Sequence, residues 1–543
     1  MQVKMGIFLC DCGGSLKNID FPKVRENLEN LEDVAFVDIS HNLCLEEGEK
    51  AITSRILTEN INRVVIAACS PEFRERNFSE LLEKLGLNSN LLSLANIREQ
   101  CSWAHEGDVT RKALELIMMA VDKAWLLQPV ERKEVAVNKE VLVVGGGFCG
   151  MKSSLELSRL GIRTTLVERE PTLGGKLKEF EGFYGSQREA MIKAVEKEEN
   201  IEILTSAEVT RVEGKIGDFS VRIRRGTKEI LQSFGAVVFA TGYKTELTAG
   251  DSPLKLGINI ISQKRLAQML QAPTLEARPE TIGFIFDLSD ENSRFPTLAT
   301  LNNALAVKQR WGSEVYVFCK NVKVDSEGVE KLYREAREKG VIFLKFDENP
   351  KISADDGRVR IDAGDTLLGE EIALTCDLVV AEEKLLPAEG TEGLSSLLKI
   401  RTDSQGFYQE ENVHLYPVSS ERKGIFFVGN CRGDLDLGRV LTDISSVVAI
   451  VHELLSPGKI MVEAELVKAD PQKCVACLTC IRVCPHRAVQ LVQIDSEKVV
   501  AEISQLACDR CGICAAICPA KAIKFEGYSD DQILAQIKAI GVS

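Results

Sequence analysis

The C-terminal part of the chain carries one cysteine pattern twice, and this repeat constrains the fold more than any other feature. The pattern C-x2-C-x2-C-x3-C-P comprises Cys474, Cys477, Cys480 and Cys484, and then Cys508, Cys511, Cys514 and Cys518. In this spacing three neighbouring thiolates hold one 4Fe–4S cluster, and the fourth, which precedes a proline, reaches the other cluster. One cluster is therefore predicted on Cys474, Cys477, Cys480 and Cys518, and a second on Cys484, Cys508, Cys511 and Cys514. A pair of zinc ribbons is the alternative, but such zinc sites separate two C-x2-C pairs by a longer loop.

The segment around this repeat resembles a bacterial two-cluster ferredoxin domain, and both of its motifs are complete. The resemblance implies a small α+β domain over residues 461–528 that binds two 4Fe–4S clusters. The remaining residues, 529–543, are expected to form a C-terminal helix.

Composition sets the broad class of the protein. The 543 residues, of which 45% are apolar, suffice for several domains with cores of their own. No apolar run approaches the roughly 18 residues of a membrane span, and the N-terminus lacks a signal sequence, so a cytoplasmic location is expected. A net charge of -14 argues against nucleic acid and anionic membranes as partners. The 17 cysteines concentrate towards the two ends of the chain, which in a cytosolic protein indicates metal or redox groups.

The segment EVLVVGGGFCGMKSSLELSRLGIRTTLVERE, residues 140–170, reads as strand, glycine turn, helix and strand. Gly145, Gly147 and Gly150 satisfy G-x-G-x-x-G, whose glycines permit a tight turn, the approach of a pyrophosphate and close helix packing. Glu168 ends the second strand, where a carboxylate can accept hydrogen bonds from the ribose hydroxyls. We therefore predict that a dinucleotide binds at this turn. Further contact residues are expected to be Phe148, Cys149 and Arg169.

Later glycine-containing segments indicate which dinucleotide binds. The residues concerned are Gly174, Gly175 and Lys176, then Ala240, Thr241 and Gly242, and finally Gly429 and Asn430. This ordered set resembles the two-dinucleotide-binding flavoproteins, such as thioredoxin reductase, and the resemblance implies that the first site holds FAD. The FAD domain is then expected to comprise residues 138–250 and 406–460. The usual Gly-Asp of the late motif is Gly429-Asn430 here, and Asp434 is a candidate to replace the aspartate.

Residues 251–405 correspond to the inserted domain in which such flavoproteins normally bind NAD(P)H. The strand-like runs TIGFIFDLS, SEVYVFCK and GVIFLKF alternate with a helical pattern, so a Rossmann-like fold is expected. No G-x-G-x-x-G occurs in this stretch, and a nicotinamide site is therefore not predicted. No C-x-x-C pair lies near the FAD segments either, so the flavin is expected to exchange electrons with clusters or partner proteins.

Residues 1–132 read as successive strand–helix units, which predicts a small parallel sheet covered by helices. Cysteines lie at or after the strand ends, at Cys10 and Cys12, Cys44, Cys69 and Cys101. Because ligands of open α/β sheets bind beyond the carboxyl ends of the strands, these thiols can converge although they are distant in sequence. A third 4Fe–4S cluster is predicted on Cys12, Cys44, Cys69 and Cys101, with Cys10 as a packed neighbour. Inert core cysteines and a zinc site are the alternatives.

The runs GIFLCDCGGS, VVIAACSP and NIREQCSWAH, followed by the glycine turn, resemble the A subunit of heterodisulfide reductase, and the resemblance extends over nearly the whole chain. It implies an FAD and iron–sulfur subunit, dimeric within a larger complex. In such complexes electrons pass between a partner dehydrogenase or hydrogenase, ferredoxin and a disulfide-reducing B subunit, through a C subunit. Some members bifurcate electrons at the flavin. A lysine of the family is His414 here, in HLYPV, which makes His414 a candidate flavin-tuning residue and leaves bifurcation open.

The sequence therefore predicts an α/β oxidoreductase subunit with one FAD and three 4Fe–4S clusters, active in a complex. Two alternatives stay open. One is an NAD(P)H-dependent flavoprotein that feeds its own ferredoxin domain, and the other is a scaffold subunit organised by zinc.

Overall fold

A computed structural model describes residues 2–247, 259–271, 278–288, 295–355, 357–463, 466–496 and 498–541. The chain divides into two compact units. Met1–Glu134 and Met461–Ser543 together form what we call the cysteine-rich unit, and Val135–Ile460 form the central unit. The two cysteine-rich ends of the chain therefore fold together. Among the described residues, no helix combines the length and the apolar composition that crossing a bilayer requires.

The N-terminal part of the cysteine-rich unit is a parallel sheet in the order β2–β1–β3–β4, as the strand–helix pattern predicts. Its strands are β1 (Met5–Cys10), β2 (Val34–Ser40), β3 (Arg63–Ala68) and β4 (Leu92–Asn96). The helices of this part are α1 (Phe21–Glu29), α2 (Glu46–Glu59), α3 (Pro71–Lys84) and α4 (Thr110–Leu126). Every residue of β1 is buried, so the sheet has apolar cores on both faces. Alternate side chains of β1 enter opposite cores, with Ile7 and Leu9 on one face and Phe8 and Cys10 on the other.

After β5 (Arg132–Ala136) the central unit begins with a parallel sheet in the order β23–β12–β6–β7–β8. Its first strands are β6 (Val141–Val144), β7 (Thr164–Val167) and β8 (Ile201–Leu204), and its helices include α5 (Phe148–Arg159) and α6 (Glu181–Lys197). An antiparallel sheet follows, made of β9 (Ala207–Lys215), β10 (Asp218–Arg225) and β11 (Lys228–Phe234). The chain then returns to the parallel sheet in β12 (Ala236–Phe239) and leaves it in β13 (Tyr243–Leu247).

The inserted segment repeats this plan. A second parallel sheet has the order β14–β21–β15–β16–β17. The strands of an antiparallel sheet, β18–β19–β20, come between β17 and β21 along the chain. The strands are β14 (Ile260–Ser262), β15 (Thr281–Ile285), β16 (Glu314–Cys319), β17 (Val341–Lys345), β18 (Lys351–Asp355), β19 (Arg358–Asp365), β20 (Glu370–Cys376), β21 (Leu378–Ala381) and β22 (Glu383–Pro387). The helices are α7 (Gln263–Gln271), α8 (Phe295–Arg310), α9 (Val329–Glu338) and α10 (Thr391–Leu398). Strand β23 (Ile425–Phe427) then completes the first sheet, and α11 (Leu437–Leu455) follows it.

The C-terminal part of the cysteine-rich unit has two short antiparallel pairs, β25–β28 and β26–β27. Its strands are β24 (Lys459–Glu463, which begins in the central unit), β25 (Val467–Ala469), β26 (Val489–Gln493), β27 (Val499–Ile503) and β28 (Ile523–Phe525). Its helices are α12 (Thr479–Val483), α13 (Ile513–Ile517) and α14 (Asp530–Ala539). A capping box at Ser529 begins α14, and Gln532 donates to the carbonyl of Leu126 at 3.3 Å. The C-terminal helix therefore docks against the end of α4.

Candidate functional site

The duplicated cysteine motifs enclose two small cavities in the C-terminal part. One cavity is lined by Cys474, Cys477, Cys480 and Cys518, and the other by Cys484, Cys508, Cys511 and Cys514. Each cavity thus takes three cysteines from one motif and the fourth from the other motif. The structure brings together the two ligand sets that the spacing predicts.

The backbone around these cavities is folded to point N–H groups at sulfur. Ala522 donates its N–H to Cys518 Sγ at 3.3 Å, and Ala488 donates to Cys484 Sγ at 3.4 Å. These two contacts occupy equivalent places in the two motifs, four residues after the last cysteine of each. Sulfurs that accept backbone hydrogen bonds suit cluster ligands, because such bonds stabilise the charge on the thiolates. The donor set therefore fits iron–sulfur clusters.

Burial acts against free thiolates at these positions. It raises the pKa of Cys514 to about 11 and also raises the pKa of Cys480. At the exposed Cys477 a hydrogen bond with Thr479 lowers the pKa. Buried thiolates therefore need a compensating cation or cluster. In the described part of the chain, no group of three His, Cys, Asp or Glu side chains is arranged to hold a single metal ion.

A larger cavity, of about 390 Å³, lies at the carboxyl ends of β1 and β3. We call it the N-terminal cavity; its lining includes Cys10, Cys12, Cys44 and Cys69, together with Phe73, Arg74, Phe78 and Arg98. The Sγ atoms of Cys10 and Cys12 are 3.9 Å apart, and their hydrogen bond lowers the pKa of Cys10 to about 6 and raises that of Cys12. Cys12 has a φ of 52°, and Gly13 and Gly14 continue in the same left-handed region, which turns the chain around the cavity.

The structure corrects the sequence prediction for Cys101 and Cys10. After β4 the chain forms a π-helical turn, Arg98–Ser102, which carries Cys101 away from the strand end. Cys101 is fully buried in the core on the opposite face of the sheet, where its Sγ donates to the Val109 carbonyl at 3.8 Å. Cys10, expected to be only a packed neighbour, lines the N-terminal cavity instead. Four thiols therefore line this cavity, with Cys10 among them instead of Cys101, and their role as cluster ligands stays a prediction.

The glycine turn of the central unit leaves no room for side chains. A Cβ on Gly145 would lie 2.4 Å from the Ala240 carbonyl oxygen, and a Cβ on Gly150 would lie 1.8 Å from the Gly145 oxygen. Gly145 also has a φ of +112°, which favours glycine. Glu168 accepts the Gly146 N–H through Oε2 at 2.6 Å, so its carboxylate lies directly beside the turn. This cradle fits the pyrophosphate and ribose of a dinucleotide.

The other predicted FAD residues meet the same turn. A Cβ on Gly175 would lie 2.9 Å from the Gly147 Cα, and Gly174 donates its N–H to the Gly146 carbonyl at 2.9 Å. Phe148 packs against the core beneath the turn. Thr241 and Gly242 follow β12, which neighbours β6 in the sheet, and Lys176 lies over the Tyr243 ring at 5.4 Å. Arg169 instead forms an exposed ion pair with Glu389 at 3.5 Å.

The late motif follows β23, the neighbour of β12. A Cβ on Gly429 would lie 2.4 Å from Cys149 Sγ, so the late and early motifs adjoin each other. Asn430 donates its side-chain amide to the carbonyls of Gly433 and Leu435 at 3.2 and 3.0 Å. Asp434 is partly buried in the same loop. Asn430 therefore stabilises the loop, and the part that Asn430 and Asp434 play towards FAD stays a prediction.

Comparisons with known proteins agree with both site types. Residues 107–266 match the pyridine nucleotide-disulphide oxidoreductase family, and residues 466–519 match a 4Fe-4S dicluster domain. A protein of Archaeoglobus profundus that is named as similar to the A subunit of heterodisulfide reductase is 26% identical, over 91% of this chain and 92% of its own. The A subunit of the H(2):CoB-CoM heterodisulfide,ferredoxin reductase of Methanothermobacter marburgensis is 27% identical, over 90% and 91%. An iron-sulfur A subunit of the CoB–CoM heterodisulfide reductase of Methanopyrus kandleri is 28% identical, over 93% and 92%.

Over most of its length the chain is similar to A subunits of heterodisulfide reductase. The resemblance seen in the sequence is confirmed, and so is the assignment to the oxidoreductases. The matches to these relatives cover at least 90% of this chain. The mixed α/β fold with a flavoprotein-type domain and a C-terminal 4Fe–4S dicluster domain is confirmed as well.

Sequence reasoning left three residues out of the predicted sites. Cys10 could have been found from the alternation along β1, which places it on the same face as Phe8. Arg98, in the N-terminal cavity, carries no motif of its own. Asp443, in α11, accepts the Gly429 N–H at 3.3 Å and pairs with Arg432 at 3.2 Å. Its contact with the late motif arises only in the folded chain.

His414, the family position that departs from lysine, lies in an exposed turn. Its backbone N–H donates to the Asn412 side chain at 2.9 Å, which closes the turn before β23. The flavin-tuning role of His414 stays a prediction.

Proposed function

We propose that this chain is an electron-relaying subunit that binds one FAD and three 4Fe–4S clusters, within a complex that resembles heterodisulfide reductase. Its partners would be B- and C-type subunits, a dehydrogenase or hydrogenase module, and ferredoxin. FAD and the clusters supply the electron-transfer chemistry when bound, because no side chain provides it. The protein residues position these groups and set their potentials.

The observation that carries the proposal is the grouping of cysteines in fours at three separate cavities. Two cavities take their cysteines across the duplicated motifs, and the N-terminal cavity takes Cys10, Cys12, Cys44 and Cys69 from the segments at the ends of β1, β2 and β3. A 4Fe–4S cluster is held by four thiolates, so each group is a complete ligand set. The revised set for the third cluster replaces Cys101 by Cys10.

The FAD site is argued from the glycine cradle of the central unit. Gly145 and Gly150 permit contacts that any Cβ would block, and Glu168 accepts a hydrogen bond from the turn itself. The carboxylate of Glu168 is therefore oriented before a cofactor arrives. Arg432 and Asp443 form a buried pair behind Gly429, with side-chain exposures of 10% and 8%, and this pair fixes the late motif against the turn.

The cysteine-rich unit offers separate access to its clusters. The N-terminal cavity lies at the carboxyl ends of β1 and β3, whereas the C-terminal part contacts the opposite end of that sheet. Arg63, the first residue of β3, donates to the Leu127 carbonyl at 2.8 Å, and the adjoining Gln128 donates to Glu526 at 3.3 Å. At about 3.3 Å per residue, the six residues of β1 separate the two ends by roughly 20 Å. The two regions therefore suit different partner proteins, as a relay requires.

The alternative of an NAD(P)H-dependent flavoprotein finds no support at the inserted sheet. At the end of β15, where a second glycine turn would stand, Asp287 is almost fully buried. Its carboxylate accepts the N–H groups of Lys320 and Asn321 at 3.1 and 3.0 Å and pairs with Lys323 at 2.9 Å. A buried and paired carboxylate therefore occupies the place where a pyrophosphate would need a glycine turn. Residues 289–293, the end of the run IGFIFDLSDENS, lie outside the described residues.

Metal and flavin analysis of the anaerobically purified full chain, followed by reduction, tests the proposal. We expect one FAD and about 12 iron atoms per chain, from three clusters of four irons, and no stoichiometric zinc. NADH and NADPH should leave the visible flavin absorbance unchanged, whereas dithionite should bleach flavin and clusters. Flavin bleaching by either nicotinamide would favour the alternative flavoprotein, and about 8 iron atoms with one zinc would favour the zinc-organised scaffold.

A further inference from the structure

Arg98 contacts a cysteine of the N-terminal cavity. Its guanidinium Nη1 lies 3.9 Å from Cys12 Sγ, and its side chain is 23% exposed. Burial raises the pKa of Cys69, and the positive charge of Arg98 opposes that shift. The positive charge of Arg98 therefore acts on Cys69 as well as on Cys12. Arginine keeps its charge at any working pH, so this cation is permanent.

Two neighbours hold the guanidinium in place. Glu99 Oε1 accepts from Arg98 Nε and Nη2 at 2.9 and 2.6 Å, and the Trp103 ring lies 4.6 Å from the guanidinium carbon. The second oxygen of Glu99 accepts the N–H of Ser70, the residue after Cys69, at 2.9 Å. The π-helical turn Arg98–Ser102 carries Arg98 and Glu99, and Trp103 follows it directly. Arg98 is therefore positioned by its own turn and by the chain beside Cys69.

Other charges at the cavity are arranged differently. Arg74 also lines the cavity, from the first turn of α3. The hydrogen bond with Cys12 lowers the pKa of Cys10, and the charge of Asp11 opposes this shift with a smaller contribution. Asp11 is also paired with the exposed His41 at 2.7 Å. The described lining of the cavity contains two cations, Arg74 and Arg98. Arg98 donates a hydrogen bond to a cysteine sulfur, that of Cys12. Its contribution can therefore be separated from the others by substitution.

We propose that Arg98 is a positioning residue that raises the reduction potential of the cluster held in the N-terminal cavity, through its charge-assisted hydrogen bond to Cys12. The proposal rests on the cluster that the proposed function places there. One-electron reduction adds one negative charge to the cluster and its thiolates, with no proton transferred. A fixed cation at the sulfur stabilises the reduced form more than the oxidised form. Hydrogen bonds to sulfur and net charge are the factors that set such potentials.

The test is a dithionite titration of the full chain, in which the EPR signal of the N-terminal cluster is followed in charge-changing variants. In Arg98→Gln the equilibrium constant for one-electron reduction should fall about tenfold, a decrease of about 59 mV. Glu99→Gln removes the anion that offsets Arg98 but keeps an acceptor for Ser70, so the potential should rise. Arg76→Gln is the matched control, because Arg76 is a 76% exposed arginine of α3 and pairs with Glu80 on the surface. The reduction potential of the N-terminal cluster in Arg76→Gln should equal that in the natural protein.

Opposite shifts in Arg98→Gln and Glu99→Gln support the proposal, since a purely structural role would lower cluster content in both without opposite potentials. Equal potentials in all the variants, with iron at the natural level, would overturn it. If Arg98→Gln loses the cluster, Arg98→Lys and Glu99→Gln carry the test, and Arg98→Lys should retain most of the potential because it retains the charge. Failure of the proposed cluster itself is recognised separately, by about 8 iron atoms in the natural chain.

Discussion

Replacing Cys10 by serine should remove one third of the iron and leave the rest in place. Cys10 closes the β1 side of the N-terminal cavity, and its Sγ lies 3.9 Å from Cys12 Sγ. Serine lacks the thiolate that iron–sulfur clusters require, so the cluster should be lost as a whole. Iron should fall from about 12 to about 8 atoms per chain, because the loss is one cluster of four irons out of three.

The matched variant is Cys101→Ser. Cys101 is fully buried on the other face of the sheet, and a serine hydroxyl can still donate to the Val109 carbonyl. We expect a loss of about 1 kcal/mol in stability, typical of a single core substitution, and no loss of iron. Colorimetric iron analysis of both purified variants, together with EPR of the dithionite-reduced samples, separates the two outcomes. Full iron in Cys10→Ser and lost iron in Cys101→Ser would restore the assignment made from the sequence and refute the reasoning from the cavity.

Two further predictions concern the central unit. Gly150→Ala should abolish FAD binding, because the new Cβ would lie 1.8 Å from the Gly145 oxygen. Gly393→Ala in α10 is the control, because its Cβ would meet no atom within 4 Å, and this variant should bind FAD fully. The flavin-to-protein ratio of the purified variants measures both outcomes. Arg432→Gln should destabilise the central unit by about 3–5 kcal/mol, because it leaves the carboxylate of Asp443 buried without its cation. A lower denaturation midpoint in urea would show this loss, and an unchanged midpoint would contradict the role of the pair.

The sequence was most informative where the determining contacts are local. Cysteines with two or three residues between them can hold one cluster only in a few ways, so the motif spacing predicted ligand sets that the structure brings together around Cys484 and Cys518. The glycine turn was equally readable, because Gly145 and Gly150 meet backbone that is contributed by the same strand–turn–helix unit or its direct neighbour. In both cases the chemistry requires particular residue types at a fixed separation along the chain.

Tertiary structure decided the features that depend on distant segments. Cys10 is the last residue of β1 and therefore lies at the strand end. Cys101 lies in the π-helical turn after β4, which carries it into the core on the opposite face of the sheet. Residues 1–134 and 461–543 form one unit because α14 docks on α4, a contact between segments that carry no shared motif. The sequence alone thus determined the resemblance to heterodisulfide reductase A subunits, the α/β class and the local cofactor motifs. Folding decided that Cys10 and not Cys101 lines the N-terminal cavity, because the π-helical turn after β4 carries Cys101 into the core on the opposite face.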